Sequence, residues 1–294
     1  MKLNLGKIVQ DLDYYIGLKL LKSPKFFSYT TFDKILEKKF SKNQSIFIKN
    51  FLNQGFSKID CNFSENVDEI NSLLILNPDY NIFNKHNNFQ ITNEIYLKIK
   101  KIVNEKLKLH LEELELLFNG NVYLTEMDIQ RNTENSKALD TKFHVDYYLS
   151  NYFKIFINLS DVSIDCGPTE IVPKKFTKKY MDFFGYKSIN KPMTKNIDVD
   201  TTEYIYSNMG KKNEATIFHS STTLHRAGVP KPGMYRDLLR LTFVIDFQKK
   251  ITKKDVFHYY KSGIGQLMSR SLAKPKSFSE TFNIYKNYKK TLQN

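Results

Sequence analysis

Before about position 120 the apolar residues recur at spacings of three and four, and beyond it they recur at every second position, which divides the chain into a helix-forming and a strand-forming part. Ile8, Leu12, Tyr15, Ile16, Leu18 and Leu21 predict a helix over 8–22, stopped by Pro24, and 32–40 a second short one. The stretch from Ile46 to Ile59 reads as a helix end passing into a strand, with Gly55 at the bend. Ser64, followed by Val67, Asp68 and Ile70, predicts a capped helix to about Leu76, and the Asn-, Asp- and Pro-rich run from Asn77 to Asn88 an exposed loop. Thr92 opens the longest helical pattern, which puts Ile95, Ile99, Val103, Leu107, Leu111 and Leu114 on one side until Asn119-Gly120 ends it near Phe118. His110 lies within it, with no carboxylate or second histidine at ligand spacing, and reads as a structural histidine.

From Asn121 the runs are short and separated by turn residues: 121–131, 142–149, 152–162 and 169–173, then 202–206, 215–219 and 238–247. A polar, lysine-rich segment over 174–200 interrupts the series. Alternation within these strands is two-sided. Phe143, Val145, Tyr147 and Leu149 oppose His144 and Asp146; Phe153, Ile155, Ile157 and Leu159 oppose Tyr152, Lys154, Phe156 and Asn158. In the last strand Leu239, Leu241, Phe243, Ile245 and Phe247 oppose Arg236, Leu238, Arg240, Thr242 and Val244. One hydrophobic and one mixed polar face per strand predict a mainly β, α+β fold, a β-sandwich or jelly-roll barrel with helices buttressing one sheet. The expected organisation is a helical N-terminal extension (1–45), one catalytic barrel domain (46–247) with an insertion over 174–200, and a basic, aromatic C-terminal extension (248–294) packed on the core.

Composition narrows the class. A hydrophobic content of 41%, with 14% of all residues aromatic, fits a folded globule, and no run of eighteen apolar residues exists to span a membrane as a helix. The first residues lack the apolar core of a secretion signal, so a cytoplasmic location is expected. Cys61 and Cys166 stand far apart with no Cys-x-x-Cys pair, which argues against a disulfide scaffold and a thiolate zinc site. The formal charge of +14 favours anionic partners. Its lysines are scattered, however, and the excess of Lys, Asn, Ile, Phe and Tyr over Ala and Gly is what an AT-rich coding sequence produces. The charge therefore does not make nucleic acid a favoured partner.

The candidate chemistry lies in Lys142-Phe143-His144-Val145-Asp146-Tyr147-Tyr148. On an extended segment His144 and Asp146 point the same way and offer two ligands to one metal ion. A third comes from Thr223-Leu224-His225-Arg226-Ala227-Gly228. Two histidines and one carboxylate leave coordination positions open, the facial triad that suits non-haem Fe(II) oxygenases. His219 competes for the distal position, but the next arginine after it, Arg226, precedes the strand that would present it. Arg236 enters the last strand eleven residues after His225, and Arg240, which shares its face, is the alternative to it.

These residues resemble the phytanoyl-CoA dioxygenase family of Fe(II)- and 2-oxoglutarate-dependent oxygenases, from about Val122 to Phe247 and more weakly around Gly55 to Leu76. Leu159-Ser160-Asp161-Val162, Gly167-Pro168 and Ile171-Val172-Pro173 echo the family's segments, and Gly228 stands three residues after His225 as its distal motif has it. Lys174-Lys175-Phe176 and Ala227 depart from the pattern. The resemblance implies a double-stranded β-helix (cupin-like) barrel with His144, Asp146 and His225 as the iron ligands. It further implies that Arg236 holds the far carboxylate of 2-oxoglutarate, with Phe156 and Asn158 as further cosubstrate contacts. The implied reaction consumes O2, releases succinate and CO2, and hydroxylates a small-molecule or carrier-bound substrate, with anionic molecules among the candidates. The rival readings are a nucleic-acid-modifying oxygenase of the same superfamily and a catalytically inactive cupin-like binding protein.

Overall fold

The computed structural model describes residues 45–77, 87–118, 120–136, 141–144, 152–177, 204–220 and 223–246. The helices expected over 8–22 and 32–40, most of the 174–200 insertion and the 248–294 extension lie outside the described residues.

Helix α1 (Ile46–Gln54) begins where the Ser45 hydroxyl accepts from the Ile48 amide and ends at Gly55, whose φ of 82° is the left-handed cap conformation. A Cβ on Gly55 would collide with Cγ2 of Thr223, so the bend foreseen there admits only glycine. Strand β1 (Phe56–Ile59) follows at once. Helix α2 (Ser64–Asn71) is shorter than expected, and Ser64 lies inside it rather than capping it: the Asn62 carboxamide accepts from the Ser64 amide at 3.0 Å. The segment taken for a plain loop contributes two edge strands at its borders, β2 (Leu76–Asn77) and β3 (Asn87–Phe89). Asn87 and Asn88 pair with Arg131 and Gln130, so the neighbouring backbone, and not side-chain alternation, makes these strands.

The long helical pattern becomes α3 (Asn93–Lys101) and α4 (Lys108–Phe118), joined by a π-helical turn over Ile102–Lys106. An apolar spacing of four overshoots the roughly 3.6-residue α turn at each step, and the wider π turn takes up the drift. Ile95, Ile99, Ile102, Val103, Leu107 and Leu114 consequently remain buried together.

Strands β4 (Asn121–Thr133), β5 (Tyr152–Asn158), β6 (Thr169–Ile171), β7 (Tyr206–Ser207), β8 (Ala215–Phe218), β9 (His225–Ala227) and β10 (Tyr235–Asp246) complete the fold. A seven-stranded sheet runs β1-β8-β5-β10-β4-β3-β2 and a three-stranded sheet β7-β6-β9. All pairings are antiparallel. An isolated bridge between His144 and His225 adds the His144 segment to the small sheet beside β9. Followed along the chain, the strands pass between the sheets in the order of a double-stranded β-helix: β4 large, His144 small, β5 large, β6 and β7 small, β8 large, β9 small, β10 large. Strand β9 has no expected counterpart because three residues are too few for an alternation to show.

The two faces of the large sheet differ as the alternation of the third and last strands predicts. Phe153, Ile155, Ile157, Ala215, Ile217, Leu239, Leu241 and Phe243 form one core with Phe51, Ile95 and Leu114 of the helices. The other face meets the small sheet, where Phe156, Phe218 and Leu238 pack on Ile171. That inner face also carries buried Glu126, Asp128, Gln130, Asn132, Lys154, Asn158, Thr216 and Thr242. Among the described residues no helix is long and apolar enough to cross a membrane.

Candidate metal centre

His144 and His225 stand directly opposite each other. The His144 amide donates to the His225 carbonyl at 2.9 Å and the His225 amide to the His144 carbonyl at 2.7 Å, the hydrogen-bonded pair of an antiparallel ladder. Opposed residues on neighbouring strands present side chains to the same face, and the two imidazole centroids lie 4.4 Å apart. Eighty-one positions of chain separate the residues, and the small sheet brings them together.

Their hydrogen bonds select a tautomer. Nδ1 of His144 lies 2.7 Å from the Lys142 carbonyl and Nδ1 of His225 lies 2.9 Å from the Thr223 carbonyl. A carbonyl oxygen only accepts, so each Nδ1 carries the proton and donates it. In the neutral ring Nε2 then holds the lone pair, and a carbonyl on Nδ1 is the common way a metal-ligating imidazole is oriented. His225 is buried and its ring lies 5.0 Å from that of Phe218, with their planes at 66°. Asp146 lies outside the described residues, and among the described residues no group of three His, Cys, Asp or Glu is placed to hold a metal. The donor chemistry present, two adjacent imidazoles whose Nδ1 protons are both given to carbonyls, fits a divalent first-row metal.

Arg236 is 2% exposed and enters β10 on the inner side of the barrel. Its Nη1 donates to the Gly167 carbonyl. Gly167 (φ +63°) and Gly228 pack backbone on backbone: a Cβ on Gly167 would lie 2.5 Å from Pro230 N, and one on Gly228 2.5 Å from the Pro168 carbonyl oxygen. The Gly167-Pro168 and Gly228 elements noted in the sequence are thus one close contact at the barrel end that holds Arg236. The neighbouring Asp237 locks the strand from the other side. Arg131 donates to both its carboxylate oxygens, at 2.8 Å from Nε and 2.7 Å from Nη2, and Asp237 in turn holds the Arg131 guanidinium above its ordinary value.

Of the other candidates, Phe156 is buried on the inner face, edge-on to Phe218 with centroids 4.8 Å apart. Asn158 is buried at the strand end, its amide nitrogen 3.5 Å from the Lys211 carbonyl. His219 points elsewhere: its ring lies 6.1 Å from that of Phe51 on helix α1. Arg240 is ion-paired with Asp128, opposite it on β4, at 2.8 Å. His110, the structural histidine, stacks edge-on against Phe47 at 4.8 Å. The polar residues of β4 on the inner face, Glu126, Asp128, Gln130 and Asn132, had no expected role, although their alternation with Met127 and Ile129 is visible in the sequence.

No protein-family model and no curated protein matches the sequence. Solved structures similar to this one include HygX from Streptomyces hygroscopicus with nickel, 2-oxoglutarate and hygromycin B bound, at 13% identity and a TM-score of 0.47 over 71% of this chain and 90% of that one. EctD from S. alaskensis with 2-oxoglutarate and 5-hydroxyectoine aligns at 11% identity and a TM-score of 0.48, over 70% of this chain and 78% of that one. The non-heme alpha ketoglutarate dependent epimerase SnoN from nogalamycin biosynthesis aligns at 11% identity and a TM-score of 0.45, over 67% and 80%. At such identities no residue role passes from these proteins to this chain.

Proposed function

We propose that the chain is a non-haem Fe(II)- and 2-oxoglutarate-dependent oxygenase of the phytanoyl-CoA dioxygenase type that hydroxylates a small-molecule or carrier-bound substrate. Residues 46–247 form the catalytic unit, with the flanking segments as extensions. The observation that carries this reading is the His144–His225 pair, two opposed imidazoles whose Nδ1 protons are both given to carbonyls.

In this reading the Nε2 atoms of His144 and His225 are the neutral ligands and the Asp146 carboxylate the anionic one. A set of three leaves room for a chelating cosubstrate and O2. Arg236 offers its planar fork to the distal carboxylate of 2-oxoglutarate, a task for which guanidinium geometry is better suited than an ammonium. When bound, Fe(II) with 2-oxoglutarate supplies the O2-dependent oxidation, in which the cosubstrate is converted to succinate and CO2. Phe156, Phe218 and Leu238, packed on Ile171 between the sheets, give the site apolar surroundings that keep water from the reacting centre.

Anaerobic titration of the metal-free protein with Fe(II) and then 2-oxoglutarate tests this. The expected result is a visible charge-transfer absorption that saturates at one equivalent and is lost in Asp146→Ala. Absence of the absorption in the wild type, with the fold intact, overturns the reading in favour of a metal-free binding protein.

A further inference from the structure

The three most exposed large apolar side chains among the described residues stand on two neighbouring helices: Ile46 is 76% exposed, Leu109 72% and Leu116 79%. Leu109 and Leu116 lie on one stripe of α4 with Glu113, which is four residues after the first and three before the second. The Ser45 hydroxyl donates to the Glu113 carboxylate at 3.0 Å, and the Phe47 ring meets the His110 ring edge-on at 4.8 Å. These contacts seat the first turn of α1, and Ile46 with it, against the middle of the stripe. The inward side of α4 is already occupied, with Leu114 and Leu117 buried in the core. A surface helix ordinarily carries one apolar face and one polar face, whereas α4 carries apolar residues on two.

The chain reaches this place from residues 1–44, which lie outside the described residues. Within them, Phe32-Asp33-Lys34-Ile35-Leu36-Glu37-Lys38-Lys39-Phe40 is the second short helix that the sequence predicts. On a helix Phe32, Ile35, Leu36 and Phe40 share one face, with Lys34, Glu37 and Lys38 opposite. Ser41–Gln44 alone join this segment to Ser45, and an extended chain of that length reaches about 14 Å at most. Helices joined by so short a connection ordinarily pack side by side. A helix over 32–40 is about 13.5 Å long, which covers the separation of about 10.5 Å between Leu109 and Leu116 along α4. Residues 8–22 have apolar positions at helical spacing too, but Pro24 and the whole of 25–44 stand between them and α1.

We propose that the surface of Ile46, Leu109 and Leu116 is the docking site of this chain's own residues 32–40, which lie along α4 as a helix with Phe32, Ile35, Leu36 and Phe40 turned inward. Charge agrees with this pairing. Lys39 falls within the inward face of the segment, and α4 offers Glu112 and Glu113 on and beside the stripe, with only Lys108 of opposite sign. A four-residue tether holds the segment at an effective concentration of the order of mM, which a second copy of the chain does not match in dilute solution. The assignment concerns the helical side of the large sheet and stands independently of the oxygenase reading.

Hydrogen exchange of the full chain, read by mass spectrometry, tests the proposal. In the wild type the amides of 33–40 are expected to exchange at least about tenfold more slowly than an open chain. Leu109→Gln combined with Leu116→Gln keeps good helix formers at two exposed positions. This variant should lose about tenfold of the protection over 33–40 while β4 and β10 keep theirs. Leu36→Gln should give the same loss, and adding it to the α4 pair should give no more, as two sides of one contact require. Should the α4 pair unfold the protein, Leu116→Gln alone carries the comparison. Open-chain exchange of 33–40 in the wild type, or protection there that the α4 substitutions do not move, overturns the proposal. Sedimentation of the same proteins identifies the other occupant. A wild-type dimer that the α4 substitutions dissociate, with exchange over 33–40 unchanged, assigns the face to a second copy and overturns the proposal as well.

Discussion

Replacing Arg236 separates the carboxylate clamp from every other feature of the barrel. The side chain is 2% exposed and one of its nitrogens is engaged by the Gly167 carbonyl. A hydrogen bond to a charged group contributes about 1.5–3 kcal/mol. Two at the lower end give about 3 kcal/mol, roughly a hundredfold in a dissociation constant. Arg236→Met, which keeps an unbranched apolar stem and loses the charge, should therefore raise the KM for 2-oxoglutarate roughly a hundredfold. Arg236→Lys keeps the charge without the fork and should raise it about tenfold. Both also remove a donor from the Gly167 carbonyl, a stability loss of about 1 kcal/mol that a thermal melt measures separately. The assay is succinate release at saturating iron and varied 2-oxoglutarate. A KM for the Met variant within about threefold of wild type, in protein that still melts cooperatively, refutes the assignment of Arg236.

Three further outcomes are expected. Gly55→Ala forces a left-handed residue and a methyl group into Thr223, and should lower the stability in denaturant by about 2–4 kcal/mol; a loss under about 1 kcal/mol contradicts the close packing seen there. Asp237→Asn breaks the paired hydrogen bonds from Arg131 to a carboxylate that is 8% exposed, and should cost about 2–3 kcal/mol, the Arg131 side being partly solvated; an unchanged denaturation midpoint would remove the lock on β10. His110, with Cys61 at 3.7 Å and with Glu113 and Asp60 as the nearby carboxylates, has its pKa lowered chiefly by burial. The unfolded chain then binds the extra proton, so this contribution is complete above the ordinary histidine value of about 6.5 and is lost as the pH falls below it. Melts between about pH 7 and pH 5 should show the advantage of wild type over His110→Gln shrinking with acid, and a pH-independent difference would show the histidine does not titrate this way.

What the sequence displayed depended on how each feature is held. Helix α1 with its Gly55 cap, the apolar stripe over Ile95–Leu114 and the alternation in β5 and β10 are properties of local pattern, and they stand in the structure as expected. Strands β2 and β3 were illegible because Asn77, Asn87 and Asn88 are turn-forming residues held extended by neighbouring backbone. The three residues of β9 escaped because their partners, not their composition, make them a strand. At the site, the spacing from His225 through Gly228 to Arg236 was legible, and the Gly167–Gly228 contact supplies its physical reason. The opposed backbone of His144 and His225 was not, since a ladder between segments so far apart leaves no trace in either.

The central claim is that one ion is held by His144, Asp146 and His225. Crystals of the protein soaked with Mn(II) and 2-oxoglutarate, measured near the manganese edge, test it most directly. The account predicts one anomalous peak within coordinating distance of Nε2 of His144, Nε2 of His225 and a carboxylate oxygen of Asp146. A peak elsewhere, or one touching the histidines while Asp146 points to solvent, would contradict it.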